Sequence, residues 1–198
     1  MIPSFTSTMR RHGAAALLGL AAAMAAPLAL AQSVKLATSA GDIVIELDAA
    51  KAPKSVDNFL KYVKAGHYNG TIFHRVIPGF MIQTGGYTQK LQQKPTKPPI
   101  PLESNNGLLN VTGSVAMART GDPNSATSQF FINVTDNPFL DAANASDGRG
   151  YAVFGQVIDG METVEKIRNL PTVAVTDAFQ NLPEKAVTII KATVEKTK

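Results

Sequence analysis

Short β-rich runs, interrupted by only two helix-patterned stretches, limit the fold of this chain more than any other feature. The runs are Val34–Thr38, Asp42–Leu47, Thr71–Val76, Phe80–Gln83, Ser114–Ala118, Gln129–Val134, Ala152–Val157 and Ala186–Val194. Apolar residues nearly fill Asp42–Leu47, as in a well-buried strand, and Ser39-Ala40-Gly41 gives it a turn back to the preceding run, so the pair reads as a hairpin. One helix opens at Pro53 and Ser55, carries Val56, Phe59, Leu60 and Val63 at three-to-four spacing, and ends at Gly66. The second spans Met161 to Leu170, with Val164 and Ile167 on one face. Strands that do not alternate with helices argue against a parallel sheet. Closure removes the exposed edges on which sheets aggregate. The expectation is therefore a mainly β fold, a closed antiparallel barrel with its two α-helices capping the ends. Its Phe, Ile, Val and Met content predicts a filled interior, not the hollow one of a small-ligand barrel. Gln89 to Asn106, rich in Pro and Lys, is a connection of the length that functional or mobile loops have.

The first 31 residues read as separate from that fold. Arg10 and Arg11 precede Ala14–Leu30, an almost unbroken run of Ala, Leu, Gly and Met, and Ala29-Leu30-Ala31 places small residues where a signal peptidase reads. Residues 1–31 are expected to be a secretory signal peptide cleaved after Ala31, and 32–198 a single domain exported to the periplasm. The competing reading is a membrane anchor. A span needs about 20 apolar residues, and Pro27 breaks this Ala-rich run.

Cleavage removes Arg10 and Arg11, half of the formal net charge of +4. The lysines that remain are scattered, with a mild concentration between Lys90 and Lys97, and form no phosphate-tracking stripe. Neither nucleic acid nor, after cleavage, a membrane is an expected partner, and a monomer is the default. The chain has no cysteine, which excludes disulfides and thiolate chemistry. Only His67 and His74 remain beyond the leader, with no carboxylates at metal-ligand spacing, so no metal and no cofactor are expected.

Candidate chemistry concentrates in Phe73 to Gly86, FHRVIPGFMIQTGG. Pro78-Gly79 supplies a tight turn between two strands, which brings Arg75 beside Phe80, Met81 and Gln83. For an arginine alone, the plain reading is a surface cation whose stem covers apolar neighbours. Further along lie Gly113–Ala118, a polar loop Thr120–Ser128, then SQFFIN over Ser128–Asn133, Phe139-Leu140-Asp141, and Tyr151 to Gly155. In this order and separation the pieces resemble the cyclophilin family from end to end of the mature chain.

The resemblance implies peptidyl-prolyl cis–trans isomerase activity on proline-containing, unfolded or partly folded polypeptides during folding of exported proteins. It implies a closed eight-stranded antiparallel β-barrel capped by two α-helices, with a proline-binding groove on its outer face and Arg75 as the catalytic residue. Phe80, Met81, Gln83, Ala118, Arg119, Gln129, Phe131, Phe139, Leu140 and Tyr151 would bind substrate. By the same pattern Phe130 points inward and Phe131 lines the groove, and His74, adjacent to Arg75, faces away as a structural residue. A proline-peptide binding module or holdase with little catalysis is the alternative. The chain departs from the family pattern at three positions. Arg119 stands where many eukaryotic members carry asparagine and adds charge beside the groove. Phe139 and Tyr151 replace the tryptophan and histidine of cyclosporin-sensitive members, and loss of the indole N–H predicts weak cyclosporin binding.

Overall fold

The computed structural model describes Met1 and residues 32–195. The signal-peptide reading falls outside the described residues, among which no helix is long and apolar enough to cross a membrane. The first hairpin joins β1 (Gln32–Thr38) to β2 (Gly41–Leu47), paired from Gln32 opposite Leu47 to Thr38 opposite Gly41. Val34, Leu36, Ile43, Ile45 and Leu47 are buried, but Val44 between them is half-buried, so β2 alternates like a strand with one face in the core.

Six further strands complete the main sheet: β3 (Arg75–Ile77), β4 (Met81–Thr84), β5 (Ser114–Met117), β6 (Phe130–Asn133), β7 (Val153–Asp159) and, after a small hairpin of β8 (Thr172–Val173) and β9 (Leu182–Pro183), β10 (Ile189–Glu195). The order is β10-β1-β2-β7-β5-β6-β4-β3, antiparallel throughout. The expected closure differs in one respect: β3 and β10 share no ladder. The predicted strand Thr71–Val76 breaks in two, and only its end enters β3. Its first part meets the chain just before β10, with Ile72 bridging Thr188, Phe73 N–H donating to Val187 O (3.0 Å) and Ile189 N–H donating to Thr71 O (2.8 Å). The two edges are stitched there, not paired along their length.

Helix α1 (Pro53–Lys64) packs against β10 and β7 and buries Val56, Phe59, Leu60 and Val63, the predicted face. Phe59 is its anchor, with ring centroids 5.1–5.2 Å from Tyr68, Phe130 and Phe154. Helix α2 (Met161–Arg168) buries Val164 and Ile167 against the same core. The long Gln89–Asn106 connection is tied down. Lys97 N–H donates to the Tyr62 hydroxyl (2.8 Å), Asn106 Nδ2 donates to Val153 O (2.8 Å), and Ile100 bridges Ala126.

Alternation along the middle strands creates two apolar surfaces. Ile82, Val115, Met117, Phe130 and Ile132 face the main core. Met81, Ala116 and Phe131 face the other side, where Leu140 and Val153 join them in a second cluster. Because the side-chain period of a strand is two, this outer cluster follows from the same sequence pattern as the core.

Candidate active site

The outer cluster is flanked by a row of side chains that crosses five strands. Arg75 pairs with Gln83, Gln83 with Phe131, Phe131 with Ala116, and Ala116 with Val153. Directly opposed residues share a face of the sheet, so the row places one cation and one amide at the end of an apolar strip. The Pro78-Gly79 turn, closed by Phe80 N–H donating to Ile77 O (3.1 Å), sets Phe80 beside it.

Arg75 is exposed, with its Nη1 donating to Gln83 Oε1 at 3.4 Å and its Cζ 5.9 Å from the centre of the Phe80 ring. Among the described residues no carboxylate pairs with it. Partial burial lowers its pKa from the ordinary value, with Tyr151 pulling it back up; a guanidinium stays cationic in either case. Gln83 Nε2 in turn donates to Gln129 Oε1 (2.9 Å). Gly86 at the end of the motif leaves room for this contact, since a Cβ there would lie 2.7 Å from Gln129 Cγ and Cδ.

The wall beyond Arg75 holds Met81, Phe131 and Leu140, all buried, with Phe80, Ala118 and Tyr151 partly buried against them. The Tyr151 and Phe131 rings meet edge-on, 5.6 Å apart at 77°. Phe139 stands at the rim, 55% exposed, its ring 5.6 Å from Phe80. These residues form one continuous surface with Arg75, Gln83 and Gln129.

The Arg119 guanidinium does not stand free beside the outer cluster. The side chain is 3% exposed: Nε donates to Gly150 O (2.9 Å), Nη1 to Thr120 O (2.9 Å) and Nη2 to Asp147, while Cζ lies 4.6 Å from the Tyr151 ring centre. Asp147, held by the backbone N–H of Arg149 and by Arg119, has its carboxyl pushed down to about 2. The charge that Arg119 is expected to add is therefore met by a carboxylate. A polar cavity of about 650 Å³ is lined by Lys51, Glu103, Asn105, Asp147 and Arg149 among others, and shares no lining residue with the outer apolar cluster.

His74 is buried and packs on Tyr87 and Phe179, with ring centroids 4.8 and 6.4 Å away. Desolvation pushes its imidazole down to about 4, outweighing the Ile72 backbone and the Gln129 side chain, which raise it. It is neutral at physiological pH. Ala116, Val153, Ile77 and Leu108 also line the outer cluster but were not foreseen from sequence. Alternation with Ala118 is the signal for Ala116; the others carry none.

A family model described as cyclophilin type peptidyl-prolyl cis-trans isomerase/CLD matches residues 33–194. The chain belongs to the cyclophilin-type peptidyl-prolyl cis–trans isomerase family. Its activity class, peptidyl-prolyl cis–trans isomerisation, comes with that membership. This cyclophilin is 53% identical over 163 residues to peptidyl-prolyl cis-trans isomerase A of Dickeya dadantii, covering 82% of this chain and 84% of that one. It is 52% identical over 158 residues to peptidyl-prolyl cis-trans isomerase B of Escherichia coli, covering 79% and 96%. Its fold is similar to that of a Cryptosporidium parvum cyclophilin solved in the presence of the dipeptide Ala-Pro. That likeness has a TM-score of 0.69 at 28% identity and covers 83% of this chain and 99% of that one.

Proposed function

We propose that X–Pro bonds of incoming polypeptides rotate in the groove beside Arg75, with the prolyl ring seated on Phe80, Met81, Phe131 and Leu140. The barrier is about 18–20 kcal/mol because the peptide C–N bond has partial double-bond character. When that conjugation is lost, the prolyl nitrogen becomes pyramidal and gains a lone pair. A guanidinium N–H aimed at it stabilises the twisted state over either planar one, which is differential binding of the transition state. No nucleophile and no proton removed from carbon are needed. Gln83 orients the guanidinium and accepts from it, and Gln129 holds Gln83. The backbone around Ala118 and Arg119 pairs with an extended substrate chain. A rate gain of 10⁵ requires lowering the barrier by about 7 kcal/mol.

The observation that carries this reading is an arginine with no carboxylate partner among the described residues, at the end of an apolar strip on the outer side of the sheet. The test is a coupled isomerisation assay on an Ala-Pro peptide. Arg75→Ala is expected to lower kcat/KM by about 10²–10³, the size of losing one transition-state donor, with folding intact. An inactive wild type, or a variant at full rate, overturns it.

The leader pattern of residues 1–31 supports work on newly exported polypeptides in the periplasm. N-terminal sequencing of the protein recovered from that compartment should start at Gln32. Phe139 and Tyr151 at the rim support weak cyclosporin binding, and nanomolar affinity in a titration would sink that claim.

A further inference from the structure

The two walls of the proline groove come from distant parts of the chain. Phe80 and Met81 follow the turn between β3 and β4, whereas Phe139 and Leu140 lie on a single 3₁₀ turn, Pro138–Leu140, after β6. A buried polar chain runs between them. Asn137, 2% exposed, donates its side-chain amide to Phe80 O (2.9 Å), Asn133 Oδ1 (2.8 Å) and Thr135 O (3.2 Å). Asn133, fully buried, donates to Ser114 Oγ (2.8 Å) and Asn110 Oδ1 (3.2 Å). Asn110 donates to Asp141 Oδ1 through its backbone N–H (2.7 Å) and its side chain (2.9 Å), and its carbonyl accepts from Asn137 N–H (2.8 Å). The network thus begins at Phe80 and ends at the residue after Leu140. Buried amides that lack water must keep their partners, so such a network holds one arrangement.

We propose that Asn137 and Asp141 are positioning residues that hold the two walls of the groove at the width of a prolyl ring and so set how tightly that ring is seated. The proposal deepens the groove reading above and rests on it. Neither residue touches the reacting bond; each acts through a wall residue, Asn137 on the Phe80 carbonyl and Asp141 on the turn that bears Leu140.

Asn137→Asp preserves shape but replaces the amide donor with an oxygen facing Phe80 O and Asn133 Oδ1. When ionised it repels both; when protonated it donates again. At pH 8 the variant is expected to lose tenfold or more in kcat/KM toward an Ala-Pro peptide, carried by KM. It should regain most of that by pH 5, while the wild type stays flat. Nuclear Overhauser contacts between the Phe80 and Phe139 rings should weaken at pH 8 and return at pH 5. Asp141→Ala should raise KM similarly, and Asp141→Asn, which keeps an acceptor oxygen, should stay within twofold of wild type. Val34→Ala, a core truncation on β1, controls for lost stability and should leave KM unchanged.

The proposal is overturned if KM rises no more in Asn137→Asp and Asp141→Ala than in Val34→Ala, or if Asp141→Asn fails as badly as Asp141→Ala. If Asn137→Asp does not fold, the Asp141 pair decides. Arg75→Ala run in parallel separates the two claims: full activity there overturns the groove reading, whereas the ring contacts decide the positioning claim without reference to activity.

Discussion

His74 shows what the residue scale adds. It sits next to Arg75 in sequence yet on the other face of the chain, and burial, not chemistry, sets its charge state. Its folded pKa of about 4 lies below the ordinary 6.5, so the unfolded chain binds the extra proton between those values. Stability contributed by the neutral ring is complete above pH 6.5 and is lost as pH falls toward 4, by up to about 3 kcal/mol. His67 is lowered as well, chiefly by desolvation, and adds loss of the same sign. Urea unfolding of the wild type should show this decline between pH 7 and 4, and His74→Leu should flatten it, with His67 leaving a residual slope. An unchanged slope would contradict the buried neutral state. Much of the groove was legible at this scale, because strand alternation separates Phe131 from Phe130 without any coordinates. The Arg119 side chain was not legible, because its partner Asp147 lies 28 residues away in a loop with no pattern to mark it.

At the scale of elements, α1 illustrates a dependence hidden from local sequence. Its N-cap position is Ala52, which offers no side-chain oxygen to the free N–H groups of the first turn. Glu103, from the long connection, takes that role: Oε1 accepts from Lys54 N–H (3.0 Å), and Oε2 from Ser55 N–H and from Ser55 Oγ (2.8 Å each). The carboxylate also sits at the positive end of the helix dipole. Glu103→Ala should therefore destabilise the fold by about 1–2 kcal/mol, the usual effect of losing an N-cap, and Glu103→Gln by less. Chemical denaturation of both variants checks the order. Apolar spacing located the helix to within a turn, since Val56, Phe59, Leu60 and Val63 are its buried face. What could not be read was that the Pro- and Lys-rich connection, expected only to be functional or mobile, completes the helix end. A cap from 48 residues away leaves no local signature.

The whole molecule was legible as a β architecture with two helices, because eight β-rich runs leave few other layers to build. Its seam was not. Whether the first and last strands of a sheet share a ladder depends on a few residues at their ends, here Thr71–His74 turning from β3 toward the chain before β10. Sparse bonding at that seam predicts faster amide hydrogen exchange at Phe73 and Ile189 than at the β1–β2 ladder positions Leu36 and Ile43. Equal protection at both places would contradict the stitched seam.

The pairing of β1 with β10, Ser33 opposite Glu195, has a consequence for the order of folding. Among the described strands β1 is made first and its outer partner β10 last, so the backbone groups on that edge of β1 wait for β10 to arrive. A nascent chain held short of residue 189 cannot complete the sheet. A ribosome-tethered fragment ending before Ile189 should remain protease-sensitive, while a chain that includes all of β10 becomes resistant.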